Sequence, residues 1–69
     1  MIATDQEKQG RCVEAFCRRF GRSDAVFLQS TFGKIVRVTD KVTGRWADYD
    51  ISWHRIRRID EGLYDHQTS

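Results

Sequence analysis

The chain has 69 residues, with 12 basic and 10 acidic side chains, and its net charge at pH 7 is +2. A chain of this length forms one small domain over residues 1–69 and has no room for a deep cleft backed by a supporting layer of side chains. Most classes of enzyme are thereby excluded. We expect a non-enzymatic, regulatory binding module that uses no cofactor and takes no small-molecule substrate.

The location expected from the sequence is the cytoplasm. No apolar run reaches the roughly 20 residues that a membrane-spanning helix needs, and the first ten residues lack the hydrophobic segment of a secretory signal peptide. We therefore expect no contact with a membrane. Cys12 and Cys17 stay reduced thiols in that compartment.

The N-terminal third of the chain predicts a helix over residues 4–21. Thr4 and Glu7 have the spacing of a capping box, and Gly21 suits a left-handed end of the helix. At about 100° per residue, apolar side chains fall on one stripe of this helix. The stripe consists of Cys12, Val13, Phe16, Cys17 and Phe20.

The sequence period changes to that of strands after the helix, and residues 25–60 predict an antiparallel sheet of three or four strands. The first three strands are expected at residues 25–29, 34–39 and 45–53. On the third strand Tyr49, Ile51 and Trp53 share one face, which we expect to pack against the helix. The predicted fold is therefore α+β, with one N-terminal amphipathic helix packed on a small antiparallel sheet.

Residues 52–63 permit two interpretations. Trp53, Ile56, Ile59 and Leu63 have helical spacing. Alternatively, residues 53–55 form a tight turn that leads into a fourth strand at residues 56–60. Periodicity does not decide between the two in a segment this short. Residues 64–69 predict a disordered tail.

Four side chains of the chain are possible zinc ligands: Cys12, Cys17, His54 and His66. The two cysteines are five positions apart on the helix, so their side chains point about 140° apart. Both lie on the apolar stripe, where a free cysteine packs as a small hydrophobic residue. We therefore expect core thiols and no metal site.

Asp48 and Asp50, with His54 nearby, are candidates for acid–base chemistry. The two carboxylates share one strand face at a separation of about 7 Å. No motif for a nucleophile or for a phosphate-binding loop accompanies them. We expect instead that they pair across strands with a basic side chain, the candidates being Lys34, Arg37 and Arg45.

Two binding functions compete. The first is binding of RNA or DNA through arginines, of which Arg11, Arg18 and Arg22 lie on or near the helix and Arg55, Arg57 and Arg58 lie towards the C-terminus. The arginine count slightly favours this function. Pairing of these arginines with the acidic residues Asp60, Glu61 and Asp65 is the alternative that weakens it.

The second function is protein binding, as an inhibitor, adaptor or self-associating subunit, anchored by the exposed aromatic residues Phe32 and Trp46. Trp46 is the only large apolar side chain on its face of the third strand, so it is either an interface anchor or is packed under the C-terminal segment. A homo-oligomer is one form of this function, because a domain this small has a marginal core and a free edge strand.

Overall fold

The computed structural model describes residues 4–22 and 24–64, which form one helix packed on a four-stranded antiparallel sheet. The elements in chain order are α1 (Asp5–Phe20), β1 (Val26–Phe32), β2 (Ile35–Asp40), β3 (Arg45–Asp50) and β4 (Arg57–Leu63). Strands adjacent in the chain are adjacent in the sheet, in the order β1-β2-β3-β4. The predicted α+β fold is confirmed, and residues 52–63 contribute a strand. Residues 65–69 of the predicted tail lie outside the described part of the chain.

Helix α1 begins and ends at the residues that the sequence indicates. The Oγ1 atom of Thr4 accepts a hydrogen bond from the N–H of Glu7 at 3.2 Å. At the other end Gly21 has a φ of 100°, which favours glycine, and its N–H donates to the carbonyl of Cys17 at 2.8 Å. Both contacts satisfy backbone groups that have no partner within the helix itself.

The core lies between the apolar stripe of α1 and one face of the sheet. Cys12 and Phe16 are fully buried, and Val13 and Phe20 pack beside them. Alternate residues of β2 and β3 point to this face, as the period of a strand requires. The sheet contributes Val36, Val38, Ala47, Tyr49 and, just beyond β3, Ile51.

The third strand ends at Asp50, three residues earlier than predicted, and Trp53 is therefore not in the core. The Oδ1 atom of Asp50 accepts hydrogen bonds from the N–H of Ser52 at 2.9 Å and from its hydroxyl at 2.6 Å. This side-chain turn competes with continued strand pairing. The chain leaves the sheet, and Trp53 is 64% exposed.

The face of the sheet opposite the helix, here called the outer face, is covered by its own side chains. Asp48 accepts two hydrogen bonds from Arg37, at 2.7 and 3.0 Å, which confirms the predicted cross-strand pair. The guanidinium carbon of Arg37 lies 4.0 Å from the ring centre of Trp46. Trp46 also packs on Gly62 and beside Tyr64, so it lies under the C-terminal segment.

Replacement of Gly62 by alanine should displace Trp46. A Cβ atom at position 62 would lie 2.5 Å from a ring carbon of Trp46, which no packed side chain tolerates. We expect a loss of about 1–3 kcal/mol in the free energy of unfolding, together with a red-shifted tryptophan emission. Gly10→Ala is the control, because a Cβ there meets open space and should stabilise the helix by up to about 1 kcal/mol. Equal stabilities of the two variants would contradict the packing of Trp46.

The buried thiol of Cys12 should make stability depend on pH. Burial raises the pKa of Cys12 to about 11. As the pH rises from about 9 towards 11, the unfolded chain loses this proton while the folded chain keeps it, so the free energy of unfolding falls by on the order of 2 kcal/mol. Urea denaturation at a series of pH values measures the slope. Cys12→Ala should reduce the slope, and an unchanged slope would show that Cys12 ionises normally.

Candidate functional site

Two connections between strands meet at one end of the sheet. Ile35 at the start of β2 pairs with Asp50 at the end of β3, which pairs in turn with Arg57 at the start of β4. The N–H of Ile51 donates to the carbonyl of Lys34 at 2.8 Å. The β1–β2 turn therefore lies beside the β3–β4 connection. The exposed aromatic and basic residues there form the basic–aromatic end: Phe32, Lys34, Trp53, His54, Arg55 and Arg57.

An open cavity of about 360 Å³ lies in the β3–β4 connection. Its lining consists of Trp53, His54, Arg55, Ile56 and Arg57. Among the described residues, Arg55 and Arg57 form no ion pair with an acidic side chain. The cavity thus combines an exposed indole ring with two guanidinium groups that remain available to an anion.

A buried lysine fixes the start of this connection. Lys8 on α1 is only 6% exposed, and its Nζ atom donates to the carbonyl of Ile51 at 3.1 Å. This bond ties the helix to the chain just where it leaves β3. The sequence analysis missed Lys8, although it lies one helical turn before Cys12 on the same stripe. A lysine on an apolar stripe is ordinarily taken as the stripe's boundary, because its charge is rarely buried.

Asp50 holds the following residues of the connection. The two hydrogen bonds from Ser52 lower the pKa of this carboxyl, and the nearby positive charge of Arg57 lowers it further. Asp50 is therefore ionised at neutral pH and acts as the acceptor that turns the chain outwards. Asp48 is bound to Arg37. Neither carboxylate of the predicted acid–base pair is left free to act on a substrate.

The structure divides the six predicted arginines among different surfaces. In the register of β3 with β4, Arg57 lies opposite Asp50 on the outer face of the sheet, whereas Arg58 lies opposite Tyr49 on the helix face. Arg58 is bound to Glu61, with Nε and Oε1 3.2 Å apart, and Glu61 also binds Arg19 of α1. Arg57 thus stays without an ion pair among the described residues, whereas Arg58 is bound to Glu61 and held away from the basic–aromatic end.

The three arginines of the N-terminal third are exposed but spread along the helix. Arg22 pairs with Glu14 at 3.3 Å. Arg11 and Arg18 lie on the outward side of α1, about 10 Å apart along its axis. Arg18 and Arg22 belong to the C-terminal end of the helix, whereas Lys8 ties the N-terminal end to the β3–β4 connection. Arg18 and Arg22 are therefore remote from Arg55 and Arg57.

The two predicted protein-binding anchors also differ in their surroundings. Phe32 is 82% exposed at the end of β1 and belongs to the basic–aromatic end. Trp46 is partly buried between Arg37, Gly62 and Tyr64 and offers only part of its ring to a partner.

The described residues contain no group of three His, Cys, Asp or Glu side chains that could hold a metal ion. Cys12 and Cys17 are buried as free thiols, and His54 lies far along the chain in the exposed connection. His66, the fourth predicted candidate, lies outside the described residues. No helix within residues 4–22 and 24–64 is long and apolar enough to cross a membrane.

No protein-family model matches this chain, and no curated protein or solved structure shows significant similarity to it. The functional proposal therefore rests on the chemistry of the basic–aromatic end.

Removal of the Lys8 ammonium should loosen the β3–β4 connection. Lys8→Met keeps the apolar stem and leaves the Ile51 carbonyl without its partner, so we expect a loss of about 1–2 kcal/mol in the free energy of unfolding. Hydrogen exchange at residues 51–56 should accelerate. The control is Arg11→Met, at an exposed position of the same helix with no ion pair among the described residues, with an expected change within about 0.5 kcal/mol. Identical exchange in the two variants would show that Lys8 does not hold the connection.

Proposed function

We propose that the protein is a small, non-enzymatic module that binds single-stranded RNA or DNA at its basic–aromatic end. The observation that carries the proposal is the exposed Trp53 beside Arg55 and Arg57 in one open cavity. Residues 51–59 contain three arginines and no acidic residue. This pairing of an aromatic surface with cationic groups is the chemistry that single-stranded nucleic acids require.

The exposure of Trp53 favours a single strand over a duplex. An unpaired base presents a free π-face to an indole ring, whereas a base within a duplex is already stacked on both sides. Stacking on an aromatic side chain contributes about 1–3 kcal/mol per base and tolerates any base. Binding with little sequence preference is the expected behaviour.

Arg55 and Arg57 supply the phosphate contacts in this proposal. Their guanidinium groups have no ion-pair partner among the described residues, so a phosphate would not have to displace a carboxylate. Lys34 is less available, because its Nζ atom lies 2.6 Å from a carboxylate oxygen of Asp5. Two contacts predict a weak and salt-sensitive interaction.

A protein partner is the second candidate, and the exposure of Phe32 is the observation that favours it. An aromatic side chain at the tip of a hairpin suits a pocket on another protein. Trp46 contributes less to this candidate, because its ring is already packed within the chain. A regulatory role in the cytoplasm is part of either proposal.

Fluorescence anisotropy with labelled poly(U) or poly(dT) of about 12 nucleotides tests nucleic-acid binding. Trp53→Ala should weaken binding about tenfold through lost stacking. For the unmodified protein, affinity should fall about sevenfold between about 50 and about 200 mM salt, which is the dependence of two phosphate contacts on a single strand. The Arg55→Ala/Arg57→Ala variant should remove most of that salt dependence.

The matched control is Arg18→Ala/Arg22→Ala, which removes the same charge from the other end of the helix. It should change the affinity less than about threefold, because screening weakens charges beyond about 10 Å. Absence of binding at low salt, or equal losses in the two double variants, would contradict nucleic-acid binding at the basic–aromatic end.

A further inference from the structure

We infer that two copies of this chain associate through the outer edges of their β1 strands, which pair antiparallel to form one continuous eight-stranded sheet. Strands β1 and β4 are the two edges of the sheet. An edge strand offers unpaired backbone groups to another strand unless its sequence or shape prevents pairing. The two edges of this sheet differ in that respect.

Strand β4 is protected against pairing. Four of its seven residues are charged: Arg57, Arg58, Asp60 and Glu61. Its register with β3 shifts between Asp60 and Arg58, which leaves Ile59 as an extra residue. Charges and bulges are the devices by which edge strands avoid association. A second copy is therefore not expected at this edge.

Strand β1 has neither device over most of its length. Residues 25–33 contain no charged side chain and form the longest uncharged run in the chain. The register with β2 is regular from Val26 to Ser30 and shifts only beyond that point. Val26 and Leu28 are only partly buried against the core. A further strand at this edge would cover their apolar surface.

The side of α1 above this edge carries little charge. Arg19 binds Glu61 of β4, so that side of the helix faces β4. At about 100° per residue, the opposite side faces β1. Its residues are Gln6, Gly10, Val13 and Cys17, and Glu14, whose carboxylate is paired with Arg22, lies at its border. A Cβ atom at Gly10 would meet only open space, so this side is uncovered by the described residues at Gly10, whereas Cys17 is buried.

This surface of low charge suits a second copy in particular. A two-fold axis brings each group near the axis close to the same group of the other copy, so a charged patch there would face a patch of the same sign. An axis perpendicular to the sheet keeps both helices on the same face and pairs even-numbered residues with even-numbered ones. The regular segment Val26–Ser30 is centred on Leu28. A register centred there places Leu28 opposite its copy and Phe27 opposite Gln29.

Sedimentation equilibrium without nucleic acid tests this inference at concentrations up to about 1 mM. The unmodified protein should approach twice the chain mass of 8.1 kDa. Gln29→Lys and Ser30→Lys place a charge at the edge on exposed positions. Each should weaken dimerisation at least about tenfold, because a charge on an edge strand disfavours pairing and would lie opposite an apolar residue of the second copy, Phe27 for position 29 and Val26 for position 30. Unchanged circular dichroism would show that the variants fold.

Val42→Lys is the matched control, since it adds the same charge at an exposed position in the β2–β3 turn. It should dimerise like the unmodified protein. A monomer at every concentration, or equal weakening by Val42→Lys, would overturn the inference. So would a dimer that neither edge variant weakens. Since no nucleic acid is present, these outcomes are independent of the proposed binding function.

Discussion

A single helix can cover only one of the two faces of the sheet, and the rest of the structure depends on how the other face is covered. Cys12 and Phe16 close the helix face with Val38 and its neighbours. No second helix is present among the described residues to close the outer face, so that face is covered from within the sheet. Arg37 lies over the ring of Trp46, and the hydrogen bonds that it donates to Asp48 and Tyr64 raise its pKa.

Closing a sheet face with an ion pair and an indole ring has a cost. The Oγ1 atom of Thr39, between Phe27 and Trp46 in the register, is buried with no hydrogen-bond partner among the described residues. Such a group costs about 1–3 kcal/mol. The gain is that Trp46 is held within the fold, which leaves Trp53 as the exposed tryptophan. Stability and the proposed binding chemistry therefore depend on different tryptophans at different places.

The features that follow from local periodicity were predictable from the sequence. The apolar stripe of α1 and the alternation along β2 and β3 depend only on residue spacing. Trp53 was misplaced because its position depends on the hydrogen bonds of Asp50 with Ser52, a local choice that alternation does not reveal. Lys8 was missed because its burial depends on a carbonyl 43 residues away. Arg57 and Arg58 point to opposite faces because they are adjacent in a strand, but which face each one takes depends on the register and on the bulge at Ile59.

The proposed dimer of β1 strands would fix the distance between the basic–aromatic ends of its two copies. The basic–aromatic end lies where β1 finishes, at Phe32. Antiparallel pairing of two β1 strands would set these ends at opposite sides of the joined sheet, separated by at least about 20 Å along the strand direction. One short oligonucleotide would then reach one site, whereas a long strand, or two separate strands, could engage both. Tight binding by the dimer would come from joining two weak sites through effective concentration rather than from a larger single site.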